Sequence, residues 1–248
     1  MAHFKIAASW SGGKDSCLAC YKAMKRGYKI GYLFSFVENK RSCYHGTQQK
    51  LIKLQADLIG IPLFGKEVNH HDGWLFEQGL KEGISHLKER KVKGMVFGDI
   101  CGVVPNFANG AQQEWLERIC NELEIKAIEP LWQRAPEKII EEFIDSGFRA
   151  VVIRTRAELL GKDFIGREID RQFLKEIKKR KICPCGENGE FHTFVVDGPM
   201  FKKGRIEITK SRTVFRKKGL WPHWDLDIQE WRVKSKFSQI NKKQCLNT

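Results

Sequence analysis

The order strand, glycine turn, helix near the start of the chain is the feature that most constrains its fold. Residues 4–8 form an apolar run that predicts a strand, and residues 17–24 follow a helical pattern. Between them lies the hexapeptide Ser-Gly-Gly-Lys-Asp-Ser, residues 11–16. Glycines let backbone N–H groups approach a ligand closely, and a helix start adds unpaired N–H donors and a positive dipole end. With the charge of Lys14, this arrangement predicts an anion site, and we expect a phosphate chain as the ligand.

The hexapeptide is not a Walker A loop. That pattern requires Gly-x-x-x-x-Gly-Lys-Ser/Thr, whereas Asp15 follows the lysine here and the second glycine is missing. Residues 11–16 instead resemble the PP-loop of the ATP pyrophosphatases, enzymes that split ATP between the α and β phosphates. The alternative interpretation is an ordinary helix start with Asp15 or Ser16 as its N-cap.

Strand-like and helical segments alternate through the first half of the chain. Further strands are predicted at residues 30–36, 63–68, 94–97 and 125–128, and helices at 47–59, 73–91 and 111–123. Such alternation predicts an α/β fold with a Rossmann-like parallel sheet and helices on both faces. Ligands bind beyond the carboxyl ends of the strands in these sheets. We therefore expect the hexapeptide, the pair Ser35-Phe36 and the triplet Gly98-Asp99-Ile100 to line one crevice.

The pattern changes after Trp132, which predicts a second, smaller α+β domain. A helix over residues 136–146 precedes a β-branched run at 150–155, a basic helix at 169–181 and β-like stretches at 192–196 and 205–215. The expected division is residues 1–132 for the nucleotide domain and 133–234 for the acceptor-side domain. Residues 235–248 are polar and basic without periodicity and are expected to be disordered.

The chain carries a formal net charge of +14 over its 248 residues. Residues 202–248 contain thirteen Lys or Arg against four Asp or Glu. This excess favours a surface for RNA or for an acidic protein, or else a solvated basic tail, and no nucleic-acid motif decides between them. No apolar run is long enough to span a membrane and the start is not a signal peptide. The eight cysteines follow no secreted-domain spacing, so free thiols in the cytoplasm are expected.

A second motif, Gly-Glu-Asn-Gly-Glu-Phe-His-Thr, occupies residues 186–193. Two glutamates and a histidine within six residues of a glycine-rich loop indicate ligands for a cation or an amine, or a general base with its orienting partner. A polar loop with a histidine at a strand start is the alternative, because loops normally carry such residues.

Four motifs in order give the chain a specific resemblance. They are the PP-loop, the Gly-Asp-Ile of residues 98–100, the Glu-Pro-Leu-Trp of residues 129–132 and the 186–193 motif. Together they resemble the diphthine–ammonia ligase family of N-type ATP pyrophosphatases, over about residues 4 to 201. The resemblance implies an adenine nucleotide alpha hydrolase-like domain, a smaller second domain and a cleft between them. It also implies that ATP adenylates the carboxylate of diphthine on elongation factor 2, which ammonia then amidates.

The resemblance also suggests roles for individual residues. The PP-loop is expected to bind the phosphates and to stabilise the pyrophosphate leaving group, and Lys14 is the first candidate for a catalytic residue. Mg²⁺ would be held by Asp15 or Asp99. The predicted ATP-binding residues are Ser11, Gly12, Gly13, Lys14, Asp15, Ser16, Ser35, Phe36, Gly98 and Asp99. Glu187, Glu190 and His192 are expected to bind ammonium, deprotonate it or orient the acceptor, and the predicted acceptor loop contains His45, Asn188 and Thr193.

Some alternatives stay open at this point. Residues 101–110 form a longer loop than the diphthamide enzymes have there, so the acceptor is either diphthine or a related carboxylate. The second function class is a PP-loop enzyme that activates a tRNA base by adenylation, which the positive charge and a Cys-x-x-Cys pair at 17 and 20 would suit. No glutaminase pattern is present, so free ammonium is the expected nitrogen source. The oligomeric state is not fixed, and a homodimer is one option.

Overall fold

Two β-sheets organise the computed structural model, which describes residues 5–43, 45–68, 73–101, 111–217 and 221–236. The loop over 102–110 lies outside the described residues. The same holds for residues 237–248 of the tail that the sequence predicts to be disordered, so this prediction is not tested.

The larger sheet has strand β1 at its centre. Its parallel strands follow the order β4-β2-β1-β5-β6, and the two-residue strand β3 pairs antiparallel with β2. The strands are β1 (Lys5–Ser9), β2 (Lys29–Glu38), β3 (Arg41–Ser42), β4 (Leu63–Glu67), β5 (Val92–Val96) and β6 (Lys126–Ile128). Because the strand order reverses between β1 and β5, a crevice for ligands is expected beyond their carboxyl ends.

Four helices cover the two faces of this sheet. They are α1 (Lys14–Lys25), α2 (Gln49–Ile59), α3 (Gly73–Glu89) and α4 (Ala111–Glu122). Leu18 of α1 and Ile52 of α2 belong to one buried apolar cluster, whereas Leu80 of α3 and Ile119 of α4 belong to another. The helices therefore lie in pairs on opposite faces, as βαβ units require.

The smaller sheet is antiparallel, in the order β8-β7-β10-β9. The elements of this half are α5 (Pro136–Asp145), β7 (Arg149–Arg156), a short 3₁₀ turn (Lys162–Phe164), α6 (Arg171–Lys179), β8 (Phe191–Asp197), β9 (Arg205–Arg216) and β10 (His223–Lys234). Proline stands at the first turn of α5, where its missing N–H costs nothing. The carboxylate of Asp170 caps α6 by accepting a hydrogen bond from the Phe173 N–H (2.7 Å).

A single apolar cluster connects the two halves. It contains side chains of α1 and α2 from the first half and of α5, α6, β7 and β8 from the second, including Leu18, Phe143, Phe173 and Phe194. The second half therefore packs on the α1–α2 face of the larger sheet. This packing is what brings β8 next to the end of β1.

The predicted fold class is confirmed: a parallel-rich sheet flanked by helices, with a second, antiparallel sheet. Strand β10 has no counterpart among the predicted elements, although Trp224, Leu226 and Ile228 alternate with Asp225 and Asp227. The alternation is typical of a half-buried strand. The excess of Lys and Arg over residues 202–248 instead favoured the prediction of a basic surface there. The division at residues 132 and 133 stays a prediction.

Among the described residues, no helix combines the length and the apolar character that crossing a membrane would need.

We expect Phe143→Ala to destabilise the protein by about 3–5 kcal/mol, because it removes a large buried side chain from the shared core. The Phe143 side chain is fully buried and its ring stacks on Phe148 at a centroid distance of 5.1 Å. Urea unfolding followed by circular dichroism measures the loss. The matched control is Phe215→Ala, since Phe215 is 42% exposed; equal losses for the two variants would contradict the packing described here.

Candidate functional site

The PP-loop, residues 11–16, turns the chain from β1 into α1. Gly12 has φ +78°, in the left-handed region that favours glycine, and Gly13 is the N-cap residue of α1. No side chain caps this helix, so the alternative interpretation of Asp15 or Ser16 as N-cap is wrong. The Ser11 hydroxyl donates to the Ser16 hydroxyl (3.1 Å), which donates to the Gly13 carbonyl (3.1 Å). The loop is thus held by its own serines, and the start of α1 keeps donors for an anion.

The end of β5 meets the PP-loop at the start of α1. A methyl group on Gly98 would come within 2.9 Å of the Ser16 nitrogen, so only glycine allows this approach. The next residue, Asp99, is partly buried. Burial, with a smaller contribution from the charge of Asp15, raises the pKa of Asp99 to about 6, against the opposing effect of a backbone hydrogen bond. The structure therefore places Gly98 and Asp99 beside the PP-loop.

Strand β8 lies directly against the PP-loop. The backbone N–H of Lys14 donates to the Thr193 hydroxyl (3.1 Å), and the N–H of Val195 donates to the Gly12 carbonyl (2.9 Å). These bonds join residues far apart in sequence and limit the movement of β8 relative to the PP-loop. The end of the 186–193 motif is consequently fixed against the PP-loop.

Gln55 of α2 reinforces this junction, and no sequence pattern pointed to it. Its amide N–H₂ donates to the carbonyls of Gly12 (3.0 Å) and Val195 (2.7 Å), and its oxygen accepts from the Trp10 indole (3.1 Å). The side chain is fully buried. An isolated glutamine on a helix carries no local signal, because its partners are set by tertiary packing.

The Lys14 side chain points toward the 186–193 motif. Its ammonium group contacts Asp15 Oδ2 (2.8 Å) and the Cys185 carbonyl oxygen, and lies 5.3 Å from the centre of the Phe191 ring. Only 4% of the side chain is exposed. Burial alone would lower the pKa of Lys14, but the negative charges of Asp15 and Glu187 outweigh it, so the pKa is raised.

The carboxylates of Asp15, Asp99 and Glu187 lie near one another, and those of Asp15 and Glu187 act on this lysine. Burial raises the pKa of Glu187 to about 8, and the charges of Asp15 and Asp99 add to that effect, while Lys14 opposes it. The Oδ1 atom of Asp15 is buried and makes no hydrogen bond. The described residues contain no group of three or more metal-ligand side chains. One or two carboxylates beside a phosphate site suit Mg²⁺, which usually takes its remaining ligands from phosphates and water.

The hydrogen bonds of Glu190 lie within its own loop. Its carboxylate accepts from the Asn188 N–H (2.8 Å), the Asn188 side-chain amide (3.1 Å) and the Cys183 N–H (3.3 Å). The side chain is buried. These contacts shape the turn that precedes β8, and the catalytic role predicted for Glu190 is not tested by them.

His45 and His192 form a pair of rings in contact, tilted at 48° to each other, beside Gly13 of the PP-loop. Their ring centroids are 4.7 Å apart, and a methyl group on Gly13 would come within 2.7 Å of His45 Cε1. Burial, together with the nearby charges of Lys14 and Arg154, lowers the pKa of His45 to about 4 in spite of a backbone hydrogen bond to Thr193. Burial also lowers the pKa of His192, and the neighbouring His45 and Arg154 add to that shift. Both rings are therefore neutral at pH 7.

Ser35 and Phe36 lie inside strand β2 and not at its end, where the predicted strand over residues 30–36 had put them. Strand β2 continues to Glu38, because Val37 and Glu38 pair with β3. Phe36 packs in an aromatic group with Phe34 and Phe76, at centroid distances of 4.9 Å to each. Ser35 is buried. The expected contact of this pair with ATP stays a prediction.

The Cys-x-x-Cys pair lies inside α1. Cys17 and Cys20 are fully buried in the apolar cluster, and burial raises the pKa of Cys20 to about 12. A buried neutral thiol is a poor nucleophile and metal ligand. The pair therefore gives no support to the second function class, activation of a tRNA base.

Two protein-family models match consecutive parts of the chain. The model for the diphthamide synthase N-terminal domain matches residues 4–127, and the model for the diphthamide synthase C-terminal domain matches residues 135–243. The chain belongs to the diphthamide synthase family. The family predicted from the four motifs is thereby confirmed.

Relatives in this family carry the name diphthine–ammonia ligase. The chain is 30% identical to the protein of Bos taurus, over 85% of each chain, and 27% identical to that of Homo sapiens, over 95% of each. It is 28% identical to the protein of Schizosaccharomyces pombe, over 87% of this chain and 38% of that one. A solved structure described as a predicted subunit of tRNA methyltransferase from Methanocaldococcus jannaschii aligns with a TM-score of 0.45 and 16% identity, over 79% of this chain and 98% of that one.

We expect Gln55→Leu to destabilise the protein, because the Trp10 indole and the Val195 carbonyl lose buried partners. Each unsatisfied group costs about 1–3 kcal/mol. Urea unfolding measures the change. The control is Gln172→Leu, an exposed glutamine whose amide contacts only Glu176, with an expected change within about 0.5 kcal/mol. A Gln55 variant as stable as this control would contradict the bridging role.

We expect His45 to make stability depend on pH. Its folded pKa of about 4 lies below the ordinary 6.5, so the native state favours the neutral ring. This contribution is complete above pH 6.5 and is lost as the pH falls toward 4, at up to about 1.4 kcal/mol per pH unit. Unfolding free energies of the wild type and His45→Gln between pH 7 and 4 measure it. The variant should lose less stability than the wild type, whereas His86→Gln, at an exposed site, should follow the wild-type curve.

Proposed function

We propose that the protein is an ATP-dependent amide ligase that adenylates a carboxylate, releases pyrophosphate and then amidates the carboxylate with ammonia. The acceptor we propose is diphthine on elongation factor 2 or a related carboxylate. The observation that carries this proposal is the direct hydrogen bonding of the PP-loop to β8. It supports the proposal because the PP-loop and the 186–193 motif lie side by side.

Adenylation is the first step. The acceptor carboxylate oxygen attacks the α-phosphorus of ATP, and pyrophosphate leaves with the electron pair of the α–β bridging bond. Negative charge grows on the bridging oxygen as this bond breaks, and fixed N–H donors and cations near it lower the barrier. We assign this stabilisation to the N–H groups at the start of α1, to the hydroxyls of Ser11 and Ser16, and to Lys14.

Amidation is the second step. Ammonia attacks the acyl carbon of the adenylate, AMP leaves with the electron pair of the C–O bond, and the nitrogen loses one proton. A base is needed, because ammonium has no lone pair until it is deprotonated. Glu187 in its carboxylate form suits this role, since a pKa raised to about 8 makes it a stronger base than an ordinary carboxylate. His45 and His192, both neutral, can orient the acceptor.

Mg²⁺ would be held by Asp15 and Asp99 together with the phosphates. The unpartnered, buried Oδ1 of Asp15 favours this assignment. The ion would neutralise charge on the phosphate chain as pyrophosphate leaves. We assign Glu190 and Asn188 to the shape of the acceptor loop, because their contacts lie within it.

Activation of a tRNA base is the second candidate, favoured only by the positive charge of the chain. Three basic residues of β9 already pair with carboxylates of β10: Lys210 with Glu230, Arg212 with Asp227, and Arg216 with Asp225. These ion pairs reduce the charge that this hairpin can offer to a phosphate backbone. The ligase therefore fits the chain better.

We expect release of AMP and pyrophosphate to require ATP, ammonium and elongation factor 2 that carries diphthine. Lys14→Ala should lower kcat by about 10²–10³-fold, because it removes a charge from the leaving group. The control is Lys53→Ala, since Lys53 is exposed on α2 and pairs with Asp57. Stimulation by bulk tRNA without any effect of ammonium would contradict the ligase and support the second candidate.

A further inference from the structure

A small pocket, which we call the arginine pocket, lies where residues 41–48 meet the smaller sheet. Its lining includes Arg41, His45, Thr47, Arg154, Arg216 and Asp225. The volume of about 30 Å³ has room for roughly two water molecules. A single carboxylate group suits this space, whereas a nucleobase is too large for it. Arg41 and Arg216 are exposed, so the pocket reaches the surface.

Arg154 reaches the pocket from strand β7, in the interior of the smaller sheet. It pairs across the strands with His192 of β8 and with Asp225 of β10, so these three side chains share one face of the sheet. Its Nε and Nη2 atoms donate to the Asp225 carboxylate at 2.7 Å and 3.2 Å. Its Nη1 atom makes no hydrogen bond to any residue that the structure describes. The ion pair therefore fixes the guanidinium plane and leaves a donor for a ligand.

The charges around the pocket favour an anion. Asp225 neutralises two guanidinium groups at once, because Arg216 also donates to it through Nε (2.8 Å). Asp227 on the same strand is already paired with Arg212 (2.8 Å). Within the described part of the chain, the side chain of Arg41 donates only to a backbone carbonyl (2.7 Å). The pocket therefore carries more positive than negative charge, which attracts a carboxylate.

Thr47 supplies a second donor without a partner. Its side chain is only 5% exposed, and its hydroxyl makes no hydrogen bond within the described ranges of the chain. A buried hydroxyl without a partner costs free energy, so its position at a pocket indicates a ligand that accepts its hydrogen bond. The segment that carries it is fixed, because the Ser42 N–H donates to the Thr47 carbonyl (2.8 Å) and the Gly46 N–H to the Ser42 carbonyl (2.9 Å). The hydroxyl is therefore in place before a ligand arrives.

The pocket lies beside the PP-loop. His45 lines it and also meets Gly13, where an added methyl group would come within 2.7 Å of His45 Cε1. The next residue, Gly46, lies against Arg154, since a methyl group there would come within 3.0 Å of Nη2. A ligand in the pocket is therefore close to the loop at which ATP is proposed to bind.

We infer that the arginine pocket binds the acceptor carboxylate, which accepts hydrogen bonds from Arg154 Nη1 and from the Thr47 hydroxyl. This inference rests on the proposed function and names the residues that hold the substrate of its first step. Bound in this way, the carboxylate is oriented beside the PP-loop before it attacks the α-phosphorus. Asp225 is a positioning residue that acts through Arg154. The amide product carries no charge and binds the guanidinium group less well, so amidation favours its release.

The first test removes the hydroxyl of Thr47. Thr47→Val keeps the shape of the side chain and removes a donor that the described residues leave unpaired, so its urea midpoint should equal or exceed that of the wild type. Its KM for elongation factor 2 with diphthine should rise by about 10–100-fold, with the KM values for ATP and ammonium within about twofold. Initial rates of AMP release measure all three. A residue that served packing alone would not change the acceptor KM at unchanged stability.

The matched control is Thr155→Val. Thr155 is also buried with a hydroxyl that no described residue contacts, but it follows Arg154 on β7 and therefore points to the opposite face of the sheet. This variant should keep the wild-type KM for the acceptor. Equal increases in the two variants, or a wild-type acceptor KM in Thr47→Val, would overturn the inference. An increase confined to the KM for ATP would also overturn it, because the pocket would then bind a phosphate.

The second test is Arg154→Lys, which keeps a positive charge opposite Asp225 but loses the planar fork. The acceptor KM should rise by about tenfold or more through loss of the Nη1 donor. The matched control is Arg149→Lys, because Arg149 lies on the same strand and pairs with Glu168 through the same two atoms, Nε and Nη2, at 2.7 Å each. Equal acceptor KM values for the two variants would overturn the inference.

Binding without turnover separates the pocket from the chemistry. Calorimetric titration of the same acceptor in the absence of ATP should show an affinity about 10–100-fold lower for Thr47→Val than for the wild type. Equal affinities would overturn the inference even where the wild type is an active ligase. Absence of ammonium-stimulated AMP release by the wild type would instead contradict the proposed function.

Discussion

The hydrogen bonds between the PP-loop and β8 are the constraint on which the rest of the site depends. Gly12 and Lys14 are tied to Val195 and Thr193 through the main chain and one hydroxyl, and Gln55 of α2 bridges the same two segments. The partners are buried, so no water replaces a bond that is lost, and its loss costs more than on the surface. Strand β8 of the second half is thereby held directly against the PP-loop.

The alternation of side chains along β8 explains how one short motif contacts both Lys14 and His45. Successive residues of a strand point to opposite faces. Phe191 and Thr193 share a face, and both contact Lys14, one through its ring and one through its hydroxyl. His192 points the other way and contacts the His45 ring. The side chains next to Lys14 and the histidine pair thus lie on opposite faces of the strand.

Much of the fold could be predicted from the sequence because its signals are local. The strand, glycine turn and helix around Lys14 are contiguous, and the helical and apolar periods of the first half mark its elements closely. The roles of Gln55 and of the Cys185 carbonyl could not be predicted from the sequence, because tertiary packing alone determines their partners. The end of β2 was predicted two residues too early for the same reason: its pairing with β3 extends the strand to Glu38.

Burial sets the electrostatics of the site. Burial, with the charge of Asp15 beside them, raises the pKa values of Asp99 and Glu187, and Lys14 opposes that shift at Glu187. The lysine stays charged in spite of its own burial, because Asp15 lies in contact with it. A carboxylate with a raised pKa is a stronger base than an exposed one. The same buried cluster therefore holds a fixed cation and a strengthened base side by side, which are the two groups that the proposed adenylation and amidation need.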